Sequence, residues 1–369
     1  MKIAIIGIRG VPFIYSGFEA FAEQFAKKFS QRGHKITVYC RSNYFPKKNS
    51  TYKKISLVYL PSLKTKLFET IIHSFFATIH ACFLCKYDII YYLGVGNTIY
   101  SFIPKLFSVK TVVNIDGLDW KRQKWGKTAK AFLYFSEFLS SFLPSKTITD
   151  SAFIQNYFLK KYRKKIEFIP YGFFRSSKDN KLLLKKYHLI KNKYFVWVGR
   201  IVPDNHLEEV IIAFNSIKSD FKLAIIGDDL YESSYRKYIY KIAYNNPNII
   251  FTGFIAHEDC VFLMRESFGY IETKRSGGTH PSLIDALASK TLIISNSHPA
   301  NKSIIGNAGF YYQLKNNTTN LEQVIKKLLA DKPLTDNKPQ LTKNVTLYQY
   351  SWKKIINQYE KMFSTLCRK

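Results

Sequence analysis

The chain opens Met1-Lys2-Ile3-Ala4-Ile5-Ile6-Gly7-Ile8-Arg9-Gly10 and, after a short gap, continues Ser16-Gly17-Phe18-Glu19-Ala20-Phe21-Ala22-Glu23-Gln24-Phe25. An unbroken apolar run of strand length meets a glycine, a loop follows, and the period then changes: Phe18, Phe21, Phe25 and Phe29 recur every three or four residues. Ser16 and Glu19 form a capping box at the start of that helix, and Gly33 stands where its C-terminal cap belongs. Strand, glycine loop and amphipathic helix make the first half of a βαβ unit. The phenylalanine stripe reads as core packed against a sheet.

The same alternation runs outward through the rest of the sequence. Strands are expected at Lys2–Gly7, Lys35–Cys40, Ile55–Leu60, Asp88–Leu93, Lys110–Ile115, Thr147–Thr149 and Ile166–Ile169. A second set follows at Tyr194–Val198, Lys222–Ile226, Ile249–Thr252, Tyr270–Glu272, Thr291–Ser295 and Phe310–Tyr312. The fold expected is α/β, with two Rossmann-like doubly wound domains facing each other across a cleft. Their bounds are set at 1–175 and 176–345, with 346–369 returning to the first domain as a helix carrying Trp352, Ile355, Ile356 and Tyr359. Pro170-Tyr171-Gly172 and the polar run Ser176–Asn180 mark the hinge, and Asp331–Asn344 reads as a connection.

Lys and Arg number 56 against 26 Asp and Glu, a formal net charge of +30. An anionic partner follows, and nucleic acid, an acidic membrane surface and phosphorylated small molecules all meet that demand. The five cysteines share no repeated spacing, and Cys82 and Cys85 sit in an apolar helical run without a second CxxC or a histidine pair, so structural thiols in a reducing compartment are expected rather than disulfides or zinc. The amino-terminal apolar run is too short for an export signal. Leu67–Cys85 is interrupted by Glu69, His73 and His80, so no membrane span is expected.

Four clusters carry chemistry. Gly7-Ile8-Arg9-Gly10 lines the carboxyl end of the first strand, where open α/β sheets bind ligands, but the loop is too long for a dinucleotide fingerprint and Cys40-Arg41 stands where an acidic residue belongs. Gly277-Gly278-Thr279-His280-Pro281 follows a strand and opens a helix, a cradle for a diphosphate, with Asp285 one turn inside as a ribose acceptor; a strand-to-helix turn without a ligand would look the same. Arg200 ends the strand Tyr194–Val198 and Gly199, where a guanidinium can meet charge developing on a departing nucleoside diphosphate, though surface arginines also occur there. Asp116, Asp119, Trp120, Lys121 and Arg122 crowd one loop and suit a sugar bearing phosphate: carboxylates for hydroxyls, an indole for the apolar face, cations for the phosphate; a merely structural loop or a nuclease or RNA-binding site could use the same residues, but no metal-ligand cluster or aromatic RNA-binding strand accompanies them.

Taken together these segments resemble the GT-B glycosyltransferases of family 4, in particular the bacterial rhamnosyltransferase-type branch. The carriers are Ile5–Pro12, Tyr15–Glu19, Asp116–Arg122, Phe168–Gly172, Val198–Pro203 and Gly277–Leu283. The resemblance implies a retaining transfer of a sugar, with L-rhamnose from dTDP-L-rhamnose as the best guess, onto a lipid-diphosphate-linked saccharide in capsule, O-antigen or related polysaccharide assembly. It implies donor contacts from Gly17, Arg200, Asn205, Gly227, Gly277, Gly278, Thr279 and Asp285, and acceptor contacts from Arg9, Glu19, Asp119, Trp120 and Arg122. Arg200 and Asp116 are the expected catalytic residues, in a front-face step in which the leaving phosphate oxygen takes the acceptor proton. No cofactor, metal or nucleic acid is expected beyond the nucleotide sugar, and an anionic membrane surface at the cytoplasmic face is the expected location.

Two positions depart from the family pattern. Its glutamate pair is Gly277 and Asp285 here, and the lysine that follows its arginine is Asn205. A catalytically weak GT-B protein that binds nucleotide sugar or anionic glycolipid within an assembly complex is the alternative.

Overall fold

The opening apolar run Lys2–Ile6 (β1) becomes an interior strand because a parallel strand covered on both faces needs apolar side chains at every position. Ile3 lies between Ile36 and Ile89 on its two neighbours. A computed structural model describes residues 1–13, 17–63, 68–122, 125–176, 179–229, 233–275, 278–313, 320–330 and 347–368 in full, and the backbone of 314, 315, 318 and 319. The chain divides into two compact units, Met1–Gly172 with Ser351–Lys369, and Phe173–Tyr350.

The first unit holds β1, β2 (Lys35–Arg41), β3 (Thr51–Tyr52), β4 (Ile55–Leu60), β5 (Ile89–Leu93), β6 (Lys110–Ile115), β7 (Lys146–Thr149) and β8 (Glu167–Phe168) in the order β3-β4-β2-β1-β5-β6-β7-β8. Every neighbouring pair is parallel except β3 with β4. That hairpin, absent from the sequence expectation, turns at Lys53 and Lys54, both left-handed at φ 47° and 67° without a glycine or asparagine to signal it.

Right-handed crossovers place α1 (Gly17–Gln31) on one face of this sheet, and α2 (Phe68–Phe83), α3 (Phe102–Leu106), α4 (Lys127–Ser140) and α5 (Ala152–Tyr162) on the other. Phe21, Phe25 and Phe29 of α1 are buried, while Phe18 is only half-buried; its capping partner Ser16 lies outside the described residues. The stripe meets the sheet and the C-terminal helix Trp352–Cys367 together: the Phe25 ring is 5.5 Å from Tyr91 and 4.9 Å from Tyr359, whose hydroxyl lies 2.9 Å from that of Tyr91. Burying three phenylalanines contributes on the order of 2 kcal/mol each.

The second unit is a six-stranded parallel sheet of β9 (Tyr194–Val198), β10 (Lys222–Ile226), β11 (Ile249–Gly253), β12 (Gly269–Glu272), β13 (Leu292–Asn296) and β14 (Phe310–Tyr312), in the order β11-β10-β9-β12-β13-β14. Its helices are α6 (Lys181–Lys186), α7 (Leu207–Asn215), α8 (Ser234–Ala243), α9 (His257–Glu266), α10 (Pro281–Ala288), α11 (Pro299–Ile305) and α12 (Leu321–Ala330). In each sheet the chain reverses its direction of winding once, between β1 and β5 and between β9 and β12. Crevices at the carboxyl ends of such strand pairs are where this class of sheet binds ligands. No described helix is long and apolar enough to cross a membrane.

Candidate functional site

At the second switch point the loops after β9 and β12 are bound to one another. Thr273 accepts a hydrogen bond from the Trp197 indole at 2.8 Å and donates to the main-chain carbonyl of Asn205. The Asn205 amide donates across 2.8 Å to the carbonyl of Arg200. Asn205, expected to meet the donor, is buried and spends its amide on shaping the loop that carries Arg200. Gly227, also expected there, has φ 111°, and a Cβ on it would come within 2.1 Å of the Gly199 carbonyl oxygen. Its role is to let the loop after β10 lie against the one after β9.

Beneath these loops sits a buried ion cluster that the sequence reading did not assign. Glu272, 1% exposed, accepts from the Tyr270 hydroxyl and the Lys274 amide, each at 2.9 Å, and lies 3.3 Å from His280 Nδ1. Burial alone would push its carboxyl up, but the charges of Lys274 and His280 and the bonds it accepts hold it down at about 2. The Lys274 ammonium donates to the Val198 carbonyl at 3.1 Å and to Ser282 at 3.2 Å. Burial lowers its pKa first; Glu272 opposes, and the nearby positive charge of Arg200 adds to the lowering. Lys274 therefore brings a second cation to the Arg200 loop from the neighbouring strand. Glu272 and Lys274 stand two apart at a strand end, the only trace of this pairing in the sequence.

The chain leaves β12 with its path fixed by Asn296 and Asn301, which both donate to the Lys274 carbonyl. Gly278 and Thr279 are buried just before α10 begins at Pro281, and Gly277 lies outside the described residues. The positive end of α10 thus points toward the same corner as the two cations.

Asp285 requires a correction. It is 2% exposed, and both oxygens are engaged within the unit: Oδ1 accepts from the Phe174 amide at 2.6 Å and Oδ2 pairs with His257 Nε2 at 2.7 Å. Each oxygen keeps a further lone pair, but the residue has almost no open surface at which a ribose could meet it. Among the described residues, His206, Glu208 and Glu209 alone approach metal-ligand spacing, and the carboxylates are already engaged: Glu209 pairs with Arg275, and Glu208 accepts a hydrogen bond from the Tyr235 hydroxyl.

At the first switch point Gly7, at φ 111°, leaves 2.3 Å between an added Cβ and the Leu93 carbonyl oxygen, which also accepts from the Asn97 amide at 2.7 Å. Arg9 reaches Glu19 at 3.2 Å and lies over the Tyr44 ring. Glu19, expected as an acceptor contact, is 1% exposed, so it positions Arg9 from below. Gly17 is exposed at the start of α1. Arg122, expected with Asp119 to meet the acceptor, gathers Asp119 at 2.7 Å and Asp116 at 3.7 Å. Trp120 differs from expectation: its indole N–H donates to the buried Glu137 at 2.8 Å and its ring stands edge-on to Tyr134. It anchors the loop to α4.

A family model described as "Glycosyl transferases group 1" matches residues 162–352, more than half of the chain, and one described as "Domain of unknown function (DUF1972)" matches residues 1–173. An uncharacterized glycosyltransferase of Methanocaldococcus jannaschii is 27% identical over 187 residues, 48% of this chain, and the match spans 46% of that relative's length. Sucrose-phosphate synthase from Thermosynechococcus elongatus superposes with a TM-score of 0.77 at 17% identity, covering 99% of this chain and 98% of that one. Anabaena HepE, solved in complex with UDP-glucose, gives a TM-score of 0.79 at 16% identity, over 99% of this chain and 100% of that one. These likenesses show the fold, two Rossmann-like units of the GT-B type. With a parallel sheet and a cationic switch point in the very segment that the family model covers, the chain belongs to the glycosyl transferases group 1 family.

Proposed function

We propose that the protein is a retaining glycosyltransferase whose second unit binds a nucleoside-diphosphate sugar and whose first unit binds the acceptor. One observation carries this reading. At the β9–β12 switch point, Arg200, Lys274 and the amino end of α10 bring positive charge to one corner, which matches a diphosphate and the charge that grows on it as a glycosidic bond breaks. Arg200 and Lys274 supply that charge in this scheme, with the nucleotide sugar as co-substrate and no metal. The leaving phosphate oxygen takes the acceptor proton, and Asp116, held by Arg122, orients the reacting hydroxyl.

L-rhamnose from dTDP-L-rhamnose is the donor we propose, and a saccharide on a lipid diphosphate the acceptor, in cell-surface polysaccharide assembly. Support for the acceptor comes from the Asp116, Asp119 and Arg122 group, which pairs hydroxyl-binding carboxylates with a cation. The excess of cations supports work at an anionic membrane surface, and free thiols suit the cytoplasmic side. Nucleic acid is not a partner in this reading. A second reading, a GT-B protein that binds nucleotide sugar with little catalysis, draws on the engagement of both Asp285 oxygens.

Thermal-shift screening of the full chain against dTDP-rhamnose, UDP-glucose and other nucleotide sugars, followed by mass spectrometry of products on a lipid-diphosphate glycan, tests the proposal. A stabilising donor and a product heavier by one sugar are expected. A stabilising donor without product or hydrolysis would favour the second reading, and no response to any nucleotide would end both.

A further inference from the structure

Two helices of the first unit keep their largest apolar side chains on the outside, although Ile71, Ile79 and Leu133 pack inward on the core. On α2 the side turned to the sheet carries Ser74, Ala77, Thr78 and Ala81, all fully buried, while Phe76 and Phe83 stand 49% and 64% exposed. On α4 the buried side carries Ser136, Glu137 and Ser140, while Phe135 and Phe138 face outward with Phe142 just beyond the helix. The inner polar groups are accommodated by specific bonds: Thr78 pairs with the Tyr92 hydroxyl at 2.9 Å, and Glu137 accepts from Trp120, Tyr157, Tyr162 and Lys161. An ordinary helix on a sheet keeps its outward face polar. Between them, α3 adds Leu106 at 77% exposed, and the crossover rule puts all three helices on the same side of the sheet. An outward apolar surface of this extent marks an interaction face.

Charge identifies the occupant. Lys86, Lys105, Lys121 and Lys127 are exposed on and beside these helices. Of the carboxylates in the same stretch, Glu69 and Glu137 are buried in ion pairs, Asp116 and Asp119 are gathered by Arg122, and Asp88, exposed ahead of β5, accepts from the Lys2 amide. A face of phenylalanines rimmed by lysines complements a bilayer with anionic headgroups, the aromatic rings entering the interface and the ammonium groups meeting phosphates. A second copy is disfavoured, because each chain brings a formal +30 and the rims would meet like charge.

We infer that the outer face of α2, α3 and α4 is a docking surface for an anionic membrane, on which the first unit lies without spanning it. The inference deepens the membrane part of the proposed function and is independent of the nucleotide corner. Co-sedimentation of the full chain with vesicles of phosphatidylcholine plus phosphatidylglycerol, and of phosphatidylcholine alone, tests it on wild type and on a triple variant, Phe76→Ser, Phe135→Ser and Phe138→Ser. Wild type is expected to bind the anionic vesicles, and the variant to bind them at least about tenfold more weakly with a cooperative unfolding transition retained and nucleotide affinity unchanged. A Lys105→Glu, Lys127→Glu variant is expected to lose the preference for anionic over neutral vesicles. Equal binding by wild type and the triple variant would overturn the assignment, as would a wild-type dimer that the triple variant dissolves, which would give the face to a second copy. Failure of every nucleotide to bind, with vesicle binding as expected, would count against the transferase reading alone.

Discussion

Lys274, two residues past Glu272 at the end of β12, donates its ammonium across 3.1 Å to the carbonyl of Val198 on the adjacent strand. That bond, with Glu272 buried beside it, gives the amine two duties: it neutralises a carboxylate in the core and adds charge to the Arg200 loop. Substitution separates them. Lys274→Met is expected to cost on the order of 3 kcal/mol, because an ionised Glu272 then loses a buried partner, and to weaken nucleoside-diphosphate binding about tenfold or more. The double variant with Glu272→Gln should regain stability in urea unfolding without regaining affinity in calorimetry.

Arg200 sits in a loop held by Asn205 and carries no part of the packed core. Arg200→Ala should lower the transfer rate by about 100-fold to 1,000-fold, the range for removal of one group that stabilises developing charge, with a thermal unfolding curve close to wild type. Arg200→Lys should recover only part of the rate, since the ammonium cannot hold two phosphate oxygens in a fixed plane. A steady-state rate for Arg200→Ala equal to wild type would remove the arginine from the mechanism.

Gly227→Ala introduces a Cβ 2.1 Å from the Gly199 carbonyl oxygen at φ 111°. The expected loss is about 2 kcal/mol or more, read from the shift in urea midpoint. Because the displaced carbonyl precedes Arg200, nucleotide affinity should fall as well, whereas Gly253→Ala, where an added Cβ meets nothing within 4 Å, should cost only about 1 kcal/mol for its φ of 66° and leave affinity unchanged.

His73 faces inward from α2, and burial pushes its pKa down to about 4, with the positive charge of Arg41 adding to the shift. In the unfolded chain it takes a proton near its ordinary value of about 6.5. Between those two values the unfolded state binds more protons, so stability falls as pH drops, by on the order of 3 kcal/mol in all. Glu272, depressed to about 2, contributes a loss only below its ordinary value of 4.5. Urea unfolding between pH 7 and 5 should therefore show a slope that His73→Leu flattens. An identical slope in the variant would assign the pH dependence elsewhere.

The sequence by itself determined where the strands run. Lys110–Ile115, Tyr194–Val198 and Lys222–Ile226 occur at the bounds that their apolar runs indicate, because a strand buried on both faces leaves an unbroken hydrophobic signature, and the partly exposed Ile55–Leu60 and Phe310–Tyr312 also keep their expected bounds. It also carried the glycine loops and the arginine after β9, since tight turns and strand ends restrict residue type locally. Only tertiary structure decided what the polar groups do. Glu19, Asp285 and Trp120 have the chemistry of ligand contacts, yet each is committed to a protein partner brought from another part of the chain: Arg9, His257 and Glu137. Likewise Lys274 reaches the Arg200 loop only because β12 pairs with β9, and the outward phenylalanines of α2 and α4 resemble core residues until the sheet fixes which side of each helix is covered. Strand patterning is written in neighbours along the chain, whereas burial and pairing depend on neighbours in space, and those exist only once the sheets have formed.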